Sequence, residues 1–333
     1  MKFRTDDTPD SPFISTGQLP PNERVQALIE AAYAQFVDDR DGTVSDVYPA
    51  LAAVEPEQFG LCMTDAAGRM YDVGDADVPF TIMSVSKPFV FALICEQLGP
   101  QAAREQLGVN GTGRSFNSLD AITTSADGRT NPMVNPGAIA ATSLAPGASI
   151  DERWQFIVRG LERFAGRELT VDESVYESAS ASNVHNRAIV AALHERGRLG
   201  CDPAEALDLY TRQCALQVTA RDLALMGATF ADGGVQPVTR ERVVAASVAR
   251  HVLAVMTTAG MYETSGDWLY DVGLPGKSGI SGGVVTVAPG KGALGTFAPR
   301  LDAAGNSVRG QHATALLART LGLDLFASQP VVS

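Results

Sequence analysis

Apolar residues at Val25, Leu28, Ile29, Ala32 and Phe36 recur three and four positions apart, which predicts a helix starting near Asn22 with one buried face. The period then changes. Residues 59–64 and 69–73 read as two strands joined by a turn at Asp65–Gly68, and a third apolar stretch, Val78 to Met83, leads into Ser84. The middle of the chain is helical. Ser149 with Glu152 forms a capping-box signature ahead of an amphipathic segment reaching Phe164, and Asn183 is expected to cap a helix running through Ala192. Asp202-Pro203 supplies a cap and a first-turn proline to the helix carrying Tyr210. Thr219 and Asp222 open another helix, which stops at Gly233-Gly234. Strands then return. Val284–Ala288 and Ala293–Phe297 flank Pro-Gly-Lys-Gly as a hairpin, and a last helix runs from about Ser307 to Leu321.

The order is strands, a block of helices, strands, then a helix. A regular βαβ alternation is absent, so the expected class is α+β: an antiparallel sheet built from both chain ends, with a helical region, about 100–235, inserted between them. Residues 1–21 are polar and proline-rich and read as a flexible tail, leaving 22–325 as one domain.

Composition narrows the partners. With 45% of its 333 residues hydrophobic, the chain can bury a real core. Its formal net charge of -12 repels phosphate backbones, so nucleic acid is not an expected partner. The longest solid apolar run, Phe89 to Cys95, is too short to span a bilayer, and the N-terminus lacks a secretory apolar region. No membrane partner is expected, and the expected location is the cytoplasm. Cys62, Cys95, Cys201 and Cys214 form no C-x-x-C pair, and the four histidines lie far apart, so neither disulfides nor a metal site is expected. Trp154 and Trp268 read as packing residues, as do Val252, Leu253 and Met256 at helical spacing.

Chemistry concentrates in three places. The first is Ser84-Val85-Ser86-Lys87, placed between a strand-like run and a helix whose first turn holds Pro88. Positions three apart share a helix face, so the hydroxyl and the amine can meet. A lysine takes a proton from serine only when neutral, which burial or nearby positive charge favours. The second is Lys277-Ser278-Gly279, ahead of a strand. Serine acyl hydrolases that carry S-x-x-K pair it with such a late triplet, where lysine supplies charge and glycine admits the substrate to the backbone. The third is Asn131 through Ile139, whose asparagine amides both donate and accept, as orienting an amide substrate requires. Cys214, with no histidine partner, reads as a packing residue.

Together with Ser178 through Ala188, Tyr210 with Cys214, Gly260-Met261-Tyr262, and Gly305 through Gly310, these motifs follow in order from Ser84 to Gly310, within a resemblance that runs from about residue 25 to 322. The chain resembles the serine-dependent glutaminases, relatives of the penicillin-binding and β-lactamase fold. The resemblance implies a β-lactamase/transpeptidase-like fold and hydrolysis of L-glutamine to L-glutamate and ammonia through an ester on Ser84, with Lys87 as base and no cofactor. It further implies that Tyr262 lies beside Ser84 and assists proton transfer, and that Asn135, Asn186 and Tyr210 contact substrate. The N–H groups of Ser84 and Ile280 would form the oxyanion hole, with Lys277, Ser278 and Gly279 in support. A homodimer or homotetramer is the implied assembly.

Three positions depart from the family pattern. Ser178-Ala179 stands where a serine–glutamate step is usual, and that glutamate would pair with the α-ammonium of glutamine. Met83 stands where a glutamine precedes the nucleophile. Val47-Tyr48-Pro49 displaces the family's tyrosine by one position, which in an extended segment reverses its side chain. Two alternatives follow: a same-fold amidohydrolase or lactam hydrolase with another substrate, and a catalytically idle binding protein.

Overall fold

The structure is a computed structural model, and it describes residues 18–328. Its strands are β1 (Gly60–Asp65), β2 (Met70–Gly74), β3 (Phe80–Thr81), β4 (Gln217–Val218), β5 (Gly276–Ser278), β6 (Gly283–Ala288) and β7 (Gly292–Phe297). The first four helices are α1 (Asn22–Phe36), α2 (Pro49–Ala52), α3 (Ser86–Leu98) and α4 (Pro100–Leu107). Those that follow are α5 (Asp120–Thr123), α6 (Asn135–Ser143), α7 (Ile150–Ala165), α8 (Glu173–Ser182), α9 (Val184–Glu195), α10 (Pro203–Cys214) and α11 (Ala220–Ala231). The chain ends with α12 (Ala246–Ala259), α13 (Ser265–Val272) and α14 (Val308–Thr320).

Five strands form one antiparallel sheet in the order β2-β1-β7-β6-β5, so both chain ends build it, as the sequence predicts. Each face is covered. Along β6, Val284 and Ala288 join the apolar cluster shared with α1 and α14, while Val285 and Val287 join the cluster shared with α11 and the helical body. That alternation explains why β6 and β7 read as nearly unbroken apolar runs.

Helix α11 begins with a full capping box. Thr219 Oγ1 accepts the Asp222 N–H at 3.1 Å, and Asp222 accepts the Thr219 N–H at 2.7 Å. The helix lies close against the sheet because Gly295 has no side chain. A Cβ there would sit 2.1 Å from Ala220 O and 2.5 Å from Ala224 N, both backbone atoms. Gly295→Ala is therefore expected to cost about 2–3 kcal/mol and to lower Tm by roughly 4–8 °C. An unchanged melting curve would show that α11 can move off the sheet without cost.

Other local expectations hold in part. Asp202 caps α10 through Ala204 N and Glu205 N. At α7, Ser149 Oγ accepts the Glu152 N–H, but the Glu152 carboxylate reaches back to Ala148 N rather than to Ser149. Asn183 precedes α9 without capping it, because its amide is turned inward to Thr211 Oγ1 at 3.2 Å. The stretch from Val78 to Met83 yields only the two residues of β3 before tightening into a 3-10 turn at Met83–Val85. Of the segment read as a tail, residues 1–17 lie outside the described residues, Leu19 packs on the α1/α14 cluster and Pro20 is buried. No helix among the described residues is long and apolar enough to cross a membrane.

Candidate active site

Ser84 stands on the 3-10 turn between β3 and α3, where β5 and α10 also converge. It is 8% exposed and lines a pocket, so a buried hydroxyl is still open to a ligand. Met83, just before it, has φ 45°, in the left-handed region that costs a side-chain-bearing residue of order 1–3 kcal/mol. Tyr262, opposite, has φ 54°. Two strained residues at one site are held there by packing around them.

The Tyr262 hydroxyl lies next to Ser84 and donates to Ser278 O at 3.1 Å. Burial raises its pKa, so it works here as a phenol rather than a phenolate. Lys87, 1% exposed, is the second residue of α3. Its Nζ donates to Asn135 Oδ1 at 2.6 Å and to Met133 O at 3.4 Å, rather than to Ser84. Among the described residues no carboxylate pairs with this amine, and desolvation pulls its pKa down to about 7. Lys277 donates to Gly260 O and Ser278 O, and its Nζ sits 4.4 Å from the Tyr262 ring centre. Burial first, then the nearby Lys87 charge, drives its pKa well down.

Of the residues marked from sequence, Ser84, Asn135, Asn186, Tyr210 and Ile280 line one pocket, whereas Lys87, Tyr262, Lys277, Ser278 and Gly279 are not among its walls. Asn135, at the start of α6, donates to Asn186 Oδ1 at 3.1 Å, and the Tyr210 hydroxyl donates to Asn135 Oδ1 at 3.2 Å. One asparagine therefore links the lysine to two further residues of the pocket. Gly279 lets the end of β5 approach the segment that carries Ser84, since a Cβ would lie 3.1 Å from Ile82 O. Ile280 and Ala179 line the pocket. Tyr48 lines it as well, together with Val47, and burial pushes the Tyr48 hydroxyl up to about 12. The expected reversal of Tyr48 does not occur, because the chain turns into α2 at Pro49 and strict two-residue alternation ends there.

Other motif residues prove architectural. Asn131 binds Val109 O, Thr258 Oγ1 and Met133 N, and so folds the turn that presents Asn135. Asn306 holds Met261 O and Thr264 Oγ1, next to Tyr262. Arg309, fully buried, donates to the carbonyls of Val37, Pro56, Glu57 and Gln58. Cys214 packs against the core and also borders the pocket, and burial raises its thiol to about 11, which leaves it a poor nucleophile. Trp268 packs in the α1/α14 cluster with its indole N–H on Leu274 O, and Val252, Leu253 and Met256 are core. Among the described residues no cluster of metal-ligating side chains occurs.

Sequence reasoning missed the pocket's outer rim. Phe116 and Asn117 come from the loop before α5, and Phe116 rests 4.5 Å from the Tyr262 ring centre. His185 joins them, its ring hydrogen-bonded to Asn117 O. A lone aromatic inside a glycine- and serine-rich stretch was the available signal for this loop.

Comparison with known proteins points one way. The glutaminase family model matches residues 42–326. Glutaminase 2 of Yersinia pestis is 62% identical over 318 residues, 96% of this chain and 94% of that protein. The glutaminase of Colwellia psychrerythraea is 45% identical over 302 residues, 91% and 97% of the two chains. Among solved structures, the probable glutaminase ybaS superposes with a TM-score of 0.91 at 40% identity, covering 93% of this chain and all of that one. A probable glutaminase from Bacillus subtilis, complexed with 6-diazo-5-oxo-L-norleucine, gives 0.81 at 29% identity, covering 96% of this chain and all of that one.

Proposed function

The chain belongs to the glutaminase family, and on that premise we propose that it hydrolyses the side-chain amide of L-glutamine through an ester on Ser84. The observation that carries this reading is a pocket-lining serine next to a buried phenol, with a buried amine three residues on that binds the pocket residue Asn135 and has its pKa lowered to about 7. In the first half-reaction Ser84 Oγ attacks the amide carbon, and its proton passes to neutral Lys87 with the Tyr262 hydroxyl beside it. The carbon–nitrogen bond then breaks, and the nitrogen leaves as ammonia with the proton returned. In the second, water adds to the ester carbon by the same proton route, releasing L-glutamate and restoring Ser84. The N–H groups of Ser84 and Ile280 are the donors we assign to the developing oxyanion. Asn135, Asn186 and Tyr210 orient the substrate, and Lys277, held by Gly260 O and Ser278 O, packs over the Tyr262 ring and supports it.

Rapid acid quench of the enzyme with L-glutamine, followed by peptide mass analysis, tests the covalent step. A glutamyl adduct on the peptide holding Ser84 is expected, and ammonia release from glutamine with no adduct under burst conditions would count against it. Tyr262→Phe separates proton transfer from binding. It is expected to lower kcat about 100-fold with little change in KM. A change confined to KM would make Tyr262 a binding residue.

A further inference from the structure

None of the described residues that wall the pocket carries a carboxylate. Of the acidic residues close to these walls in sequence, Asp46, next to Val47, is exposed and not part of the wall, and three others are committed elsewhere. Asp172 caps α8 at Val175 N, Asp208 takes the Tyr176 hydroxyl and Arg212, and Glu263 accepts the Phe116 N–H. Glu177 is exposed and turned off the pocket, although it stands two residues from Ala179. The face of α8 that meets the pocket is Val175, Ala179 and Ser182, and the Ser182 hydroxyl already donates to Ser178 O at 2.7 Å. Beside it lies a small apolar cluster of Leu51, Met83, Val175 and Ala215. An ammonium brought into these walls sheds water and gains no counter-charge, which burial makes costly.

A carboxylate is better served. Asn186 uses its Oδ1 on Asn135, which leaves its amide N–H groups for a ligand, and the Tyr48 hydroxyl at the wall is a second neutral donor. Resting on the amide-hydrolysing reading above, we propose that the pocket selects a primary amide bearing a terminal carboxylate but no free ammonium. Glutaramate, the glutamine skeleton without its α-amino group, is the simplest member of that class. The chemistry at Ser84 is unchanged: water and the amide give the dicarboxylate and ammonia.

The test is kcat/KM for ammonia release from L-glutamine and from glutaramate, in the wild type, Ala179→Glu and Ala179→Gln. The wild type is expected to favour glutaramate by at least about tenfold. Ala179→Glu is expected to shift the ratio toward L-glutamine by at least as much, because it puts a carboxylate on the α8 wall. Ala179→Gln, of the same size without the charge, is expected to keep the wild-type order. A wild type that prefers L-glutamine overturns the inference and leaves the glutaminase reading standing. So does a shift in Ala179→Gln equal to that in Ala179→Glu. Release from neither amide overturns both. Should Ala179→Glu fail to fold, the wild-type ratio decides alone.

Discussion

Ser84→Ala is expected to lower amide hydrolysis at least about 10⁴-fold while leaving the fold unchanged. The magnitude follows from the proposed two-step route. Without the hydroxyl no ester forms, and what survives is the help that oriented donors give to direct attack by water. The prediction also requires that the serine carry little structural weight. Its hydroxyl meets Tyr262, and the Tyr262 hydroxyl keeps Ser278 O as a partner when Ser84 is truncated. Loss of that contact alone shifts Tm by no more than about 2 °C. Ammonia release and a melting curve on the same preparation check both halves. Retention of more than about one per cent of wild-type kcat/KM would exclude Ser84 as the nucleophile. Loss of activity together with a collapsed melting curve would show that the serine holds the turn.

Features set by local sequence were legible in advance. The capping box of α11, the Asp202-Pro203 start of α10 and the β6–β7 hairpin each depend on a few neighbouring residues, and each lies where the sequence places it. Ser84 and Lys87 were legible for the same reason, being three residues apart at a helix start. What escaped depends on distant parts of the chain. Residue spacing suggests that the lysine meets the serine, yet its strongest bond is to Asn135, 48 positions away. Nothing near Met83 or Tyr262 announces a left-handed backbone, because residues without glycine's freedom take it only when packing imposes it. The rim made by Phe116, Asn117 and His185 likewise exists only once α9 and the loop before α5 face each other. The absence of acid from the pocket wall was visible at Ala179, but whether Glu177 replaces it is a question of helix face, and α8 turns Glu177 to solvent.

Lys87→Met is expected to remove at least about a thousandfold of the activity and to make the protein more stable at neutral pH. The first part follows from the loss of the proton acceptor, and kcat/KM of the wild type should rise with unit slope below pH 7 and level above it. The second part follows from linkage. In the unfolded chain a lysine holds its proton to pH 10.5, whereas in the folded protein burial brings Lys87 to about 7. Between those values the unfolded chain binds more protons than the folded one, so this group's contribution to stability rises with pH. The slope is roughly 1.4 kcal/mol per pH unit across that window, about 5 kcal/mol in all. Below pH 7 the lysine is protonated in both states, and its full cost remains. Methionine carries no such cost. The stability advantage of Lys87→Met should therefore be largest at pH 7 and below, and should shrink steadily toward pH 10. Lys277, also buried, is present in both proteins, so the difference between their curves isolates Lys87 apart from its influence on Lys277. Denaturant midpoints from pH 6 to 10, set beside the pH–rate profile, measure both consequences of one shifted group. Parallel stability curves, or a rate profile with no inflection between pH 6 and 8, would mean that Lys87 keeps its proton in the folded enzyme and cannot be the base.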